Sequence, residues 1–186
     1  MNQTTAPLRY NTLSQLFHWS VVLMLVGLVV TDSLRDGAPK ESALRTEWLH
    51  LHESIGILLF LVVIARILWS RLSPQPAPLP APQWSLIAAK LTHLLLNLAT
   101  LLIPVFGYLR VVSKEGRFAD FFGTQLPSLV APSAQLNEAM HIFHGEPMEF
   151  FLYSLVGLHV AAALWHQYAR RDGTLERMLP WGRPAA

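Results

Sequence analysis

The chain contains no cysteine. Disulfides, thiolate metal sites, Cys-held iron–sulfur clusters and covalent haem attachment through C-x-x-C-H are therefore excluded. Charge is also scarce: 14% of the 186 residues are charged, whereas 52% are hydrophobic and the mean hydropathy is +0.35. A soluble domain carries about a quarter charged residues, so long stretches here have been stripped of charge, as a lipid solvent requires. No repeat of solenoid period is visible. No cleavable signal peptide is expected, because the first apolar run is too long for a signal core and no small-x-small site follows it. Eight histidines and five methionines remain as soft or imidazole ligands.

A bilayer core of ~30 Å needs about 20 apolar residues as a helix. Four windows qualify, over about residues 13–34, 52–72, 87–112 and 147–168. The expected fold is all-α, a single four-helix transmembrane bundle. The windows are nearly free of charge; beyond the charged residues at their very ends they hold Arg66 and Lys90, each near an end where a long side chain can snorkel. Pro74, Pro76, Pro78, Pro80 and Pro82 predict a stiff linker between spans two and three. Gly116, Gly123, Pro127 and Pro132 punctuate a longer loop before span four.

Lysine and arginine set the orientation. The side shared by both termini and the proline linker carries Arg9, Arg66, Arg71, Lys90, Arg170, Arg171, Arg177 and Arg183 against Asp172 and Glu176, a net of +6. The opposite side carries six basic and ten acidic residues, a net of −4. Both termini are thus expected in the cytoplasm. The six tryptophans fall near span ends, as an interfacial aromatic belt does.

Histidine at membrane depth is costly unless it is bound to something, yet it recurs in every span. His18, His52, His93 and His159 lie in spans one to four, and His141 and His144 just precede span four. His144 and His159 are about 22 Å apart along a helix, and His141 and His159 about 27 Å, at 1.5 Å per residue. One helix therefore offers imidazoles at two depths. Matching depths across neighbouring spans gives the pairs His18 with His159 and His52 with His144. Two imidazoles per iron at two levels is the arrangement for two low-spin b-type haems that move electrons through the bilayer. A zinc site fits less well, because the histidines separate into two layers. Single intramembrane histidines also serve as hydrogen-bonded packing residues, and a haem-free transporter would need more polar residues along a path than His and Asn97. His50 is expected at the interface, since two steps along a helix turn it away from His52. Gly56, Gly157 and Ala161 to Ala163 leave room for a macrocycle or, equally, for close helix packing.

Several motifs, in order, carry a family resemblance. They are Arg9-Tyr10 through Phe17-His18-Trp19, then His52-Glu53-Ser54-Ile55-Gly56-Ile57 with Arg66, then His93-Leu94 leading to Pro104-Val105-Phe106-Gly107-Tyr108. Phe122-Gly123 with Leu126-Pro127 and Gly157-Leu158-His159 through Arg171-Asp172-Gly173 to Leu179-Pro180 complete the set. Over roughly residues 9 to 180 the chain resembles the bacterial cytochrome b561 family. The resemblance implies an inner-membrane dihaem cytochrome that exchanges electrons with ubiquinone, one type of which oxidises superoxide at the outer face. It carries haem ligation onto His18, His52 and His159. The family's fourth ligand position falls on Gly145; His144 is one residue earlier, where a one-residue bulge before Pro147 would bring it in, and His141 is the fallback.

Arg66, Lys90, Arg110, Lys114 and Arg117 are candidates for haem propionates or quinone oxygens, or else serve as interface anchors. His93 has no partner at its depth and is expected to bond a haem or quinone group, or to pack. The expected partners are lipid, quinone, and superoxide or a redox protein, with a homodimer admissible and no nucleic acid. The competing reading is a cytochrome b subunit that anchors a larger dehydrogenase or hydrogenase.

Overall fold

A computed structural model describes residues 7–181 of the chain. Five α-helices and one small hairpin make up the fold: α1 (Thr12–Gly37), α2 (Ala43–Leu72), α3 (Gln83–Val112), β1 (Ala119–Phe121), β2 (Thr124–Leu126), α4 (Ala134–Phe143) and α5 (Glu146–Trp165). Four helical stretches are long and apolar enough to cross a membrane, the fourth being α4, α5 and the π-turn His166–Arg170 taken together.

Local chemistry sets each boundary. Asn11 caps α1 by accepting from the Ser14 amide at 2.9 Å, and its Oδ1 also accepts from Trp69 Nε1 at 3.1 Å, which ties the start of α1 to the end of α2. Ser42 caps α2 through the Arg45 amide, and Ser133 caps α4 through the Leu136 amide. The Pro74 ring disfavours helical backbone at Ser73, where α2 stops. α2 starts at Ala43, well before the apolar window that opens at His52, so His52 sits more than two turns inside a helix.

The outward faces are apolar: Leu16, Leu23, Val26, Leu61, Leu68, Leu94, Phe150 and Leu158 are all exposed. Within the bundle, Val21, Leu59 and Val63 form the buried centre, with Met24, Leu25, Leu28, Val62, Ile67 and Leu101 around it. These belong mostly to α1 and α2, which pack along their length. α5 packs on α3 and α4 and approaches α1 and α2 only thinly.

The first and last described segments meet at one end of the bundle. The Tyr10 amide donates to Arg177 C=O at 3.2 Å, Trp19 Nε1 to Met178 C=O at 3.0 Å, and Arg9 Nη2 to Leu179 C=O at 2.7 Å. Arg177 Nη1 reaches the proline linker at Ala77 C=O, 3.0 Å. The opposite end is closed by the hairpin, an antiparallel pair in register Ala119 with Leu126 and Phe121 with Thr124. The loop read from glycines and prolines thus contains this hairpin and α4. Phe122 (φ 48°) and Gly123 (φ 85°) both adopt left-handed backbone, which a two-residue hairpin turn requires. Buried Ser54 on α2 docks the turn: it donates to His50 C=O at 2.7 Å and accepts from the Phe122 amide at 2.8 Å.

Candidate functional site

At the terminal end, α1 presents His18 and α5 presents His159, with ring centres 6.2 Å apart and planes at 63°. At the hairpin end, α2 presents His52 towards His144, again with centres 6.2 Å apart and planes at 78°. Neither pair stacks face to face, and all four rings are half-buried. An imidazole-to-metal bond is about 2 Å, so two rings on opposite sides of one metal have centres roughly 6 Å apart. Both pairs have that separation, and both span the side of the bundle where α5 stands off α1 and α2. The residues fit a bis-imidazole metal centre at each end.

Backbone carbonyls and a hydroxyl hold the rings of the hairpin-end pair from behind. His144 Nδ1 lies 2.9 Å from Ile103 C=O. His52 Nδ1 lies 3.2 Å from Leu28 C=O and 3.2 Å from Thr31 Oγ1, whose hydroxyl donates to Gly27 C=O at 2.9 Å. A ring nitrogen that faces a carbonyl carries the hydrogen, so each Nδ1 is the donor and each Nε2 keeps its lone pair for a metal.

His144 reaches this place because the helix breaks. It is the C-terminal cap of α4 (φ −136°, ψ 58°), and Gly145 starts α5 in extended backbone (φ −154°, ψ −170°). The continuous helix assumed from spacing is therefore interrupted between His144 and Glu146. Pro147 tolerates the break, because the first turn of a helix needs no N–H from it. Arg110 Nη1 satisfies the freed His144 C=O at 2.6 Å. His141 is exposed on α4, and the structure brings His144 rather than His141 to His52.

His93 does have a neighbour at its depth: its ring centre lies 5.3 Å from that of His159, edge to face. That distance is shorter than a ring–metal–ring sandwich, so His93 stands beside the His18–His159 pair. Arg66 Nη1 donates to Asn97 Oδ1 at 3.2 Å. His166 lies apart from both pairs, hydrogen-bonded through Nδ1 to Asp172 at 2.6 Å in the segment after α5.

Residues 9–181, nearly the whole chain, match the sequence pattern of prokaryotic cytochrome b561. The chain belongs to the prokaryotic cytochrome b561 family. It is accordingly a membrane-embedded, b-type haem electron-transfer protein. Among its relatives, cytochrome b561 homolog 2 of Escherichia coli (strain K12) is 32% identical over 96% of this chain and 95% of its own length. Cytochrome b561 homolog 1 of the same organism is 27% identical over 92% and 97%. Probable superoxide oxidase CybB of Yersinia pestis is 28% identical over 92% and 96%.

Gly107, in the motif Pro104-Val105-Phe106-Gly107, has a role in this b561 chain that its lack of a side chain hides. A Cβ at position 107 would lie 2.7 Å from Cε1 and 3.0 Å from both nitrogens of the His144 ring. Gly107 is thus the cradle into which that ring fits, four residues after the carbonyl that holds it. Gly157, two residues before His159, faces open space. Gly56 has only an ordinary contact with Leu28, which is helix packing.

Proposed function

We propose that this b561 protein holds two b-type haems, one between His18 and His159 and one between His52 and His144, and moves electrons across the inner membrane to ubiquinone. The two equal ring separations of 6.2 Å carry this reading. Bound haem supplies reversible one-electron chemistry; the chain sets spacing, ligation and surroundings. Leu28, Thr31 and Ile103 fix the tautomer and tilt of the hairpin-end imidazoles. Arg66, Asn97 and His93 give the terminal-end site a polar wall suited to a carboxylate or a quinone oxygen. The +6 balance on the side of the termini supports a cytoplasmic terminal end and an outer hairpin end.

The electron donor proposed at the outer face is superoxide. A relative bears the name probable superoxide oxidase. The net −4 of that side argues against steering an anion, but Arg35, Arg45, Arg110 and Arg117 gather there around one opening.

A reduced-minus-oxidised spectrum with haem counted per chain tests the ligation. Two haems are expected, with His18→Ala or His159→Ala losing one and His52→Ala or His144→Ala losing the other. A chain that binds one haem or none ends the reading. The donor is tested by mixing oxidised protein with superoxide: haem reduction must far outpace a haem-free control and pass on to added ubiquinone. A redox protein that co-purifies in stoichiometric amount would favour the subunit reading instead.

A further inference from the structure

The hairpin end holds an open cavity of about 310 Å³, lined by Arg35, Arg45, Thr46, Leu49, Arg110 and Arg117. Its four guanidiniums come from the last turn of α1, the first turn of α2, the last turn of α3 and the loop beyond it. Like charges gathered this closely repel unless something answers them. Asp32 and Asp36 answer part: Arg35 pairs with them at 2.8 and 3.1 Å, and Arg45 with Asp36 at 3.3 Å. Among the described residues, no carboxylate forms an ion pair with Arg110 or Arg117. Arg110 and Arg117 thus leave the cavity a cationic wall that no ion pair answers.

We propose that this cavity binds an oxyanion of the carboxylate or phosphate class, and that the bound anion acts on the His52–His144 site through Arg110. Guanidinium forks match such anions in paired hydrogen bonds. Arg110 is the link, because the same side chain that lines the cavity donates to His144 C=O at 2.6 Å. An anion that offsets the Arg110 charge favours the oxidised, more positive form of a redox group at that pair, and so lowers its potential. Reciprocally, oxidation tightens anion binding by the same factor. The coupling rests on the ligation reading above; the binding does not. Two sources share this chemistry, the propionates of a bound haem and a free inorganic oxyanion.

The holoprotein in phosphate-free detergent is titrated with inorganic phosphate by calorimetry, and its haem midpoint potentials are followed at constant ionic strength. The comparison is with Arg117→Gln, and with Lys114→Gln, which lies outside the cavity lining. Phosphate binding that weakens tenfold or more in Arg117→Gln but not in Lys114→Gln, with one haem potential falling as phosphate is added, establishes the free-oxyanion form. No phosphate binding, but haem lost more readily from Arg117→Gln than from Lys114→Gln, identifies propionate as the occupant. No binding and no effect of Arg117→Gln overturns the proposal. Phosphate binding that moves neither potential overturns the coupling; if His144→Ala then still holds two haems, the fault lies in the ligation reading.

Discussion

Gly107→Ala should empty the hairpin-end haem site while leaving the bundle folded. The added methyl carbon would lie 2.7 Å from His144 Cε1 and 3.0 Å from both ring nitrogens. Only the ring or the backbone can yield. The ring is pinned by Ile103 C=O at 2.9 Å, and its own backbone by Met140 C=O at 2.8 Å and Arg110 at 2.6 Å. Swinging the imidazole away forfeits the Nδ1 hydrogen bond, about 1 kcal/mol net. Keeping it in place forces overpacking, which costs about 1–3 kcal/mol. Alanine recovers up to about 1 kcal/mol in helix propensity, so global stability falls by no more than ~3 kcal/mol. Geometry at the metal is less forgiving: an imidazole displaced by half an ångström or more no longer meets a bond of about 2 Å. The assay is haem per chain beside far-ultraviolet dichroism. The expected result is one haem instead of two with native helix content, and the remaining spectrum matching that of His144→Ala. Full retention of both haems with unchanged spectra would show that His144 does not use this cradle.

Three further outcomes follow from the same structure. His141→Ala should keep two haems, because that side chain is exposed on α4 and away from His52. His93→Leu should also keep both while shifting the spectrum or potential of one, since its ring lies beside His159 rather than opposite it; pyridine haemochrome counting and redox titration separate these effects. Near the termini, burial pushes the Asp172 carboxyl up, but bonds from Thr174 and His166 outweigh it and hold the group below its ordinary range. A depressed folded value means stabilisation that is complete above about pH 4, the ordinary carboxylate value, and lost as pH falls through the folded value. Protease cleavage after α5 should therefore rise in wild type only at such acidity, and Asp172→Asn should show the raised cleavage already at pH 7.

How much of this was legible beforehand depends on whether a property is local. Each span announces itself by composition, because every residue of a lipid-facing helix meets the same solvent. The caps at Asn11, Ser42 and Ser133 stand at the residue types that supply them. Histidines at two levels, the charge contrast between the ends and the proline linker are likewise properties of position along the chain, as are the pairing of His18 with His159 and the placing of His52 opposite the histidines that precede span four. The hairpin is not legible in the sequence, although Phe122-Gly123 marks its turn, because three-residue strands carry too little alternation to register.

The amino-acid order by itself determined four lipid-crossing helices, a haem-compatible set of imidazoles and which end each belongs to. Tertiary structure alone decided that His144 rather than His141 meets His52, since that turns on the backbone break at Gly145. It alone set the Nδ1 partners at Leu28 and Ile103, the cradle at Gly107, the place of His93 beside His159 and the gathering of four arginines around one cavity. All of these depend on how one helix is rotated and seated against another. Backbone carbonyls and empty space, which carry no side-chain identity, do much of the selecting, and neither leaves a mark in the sequence.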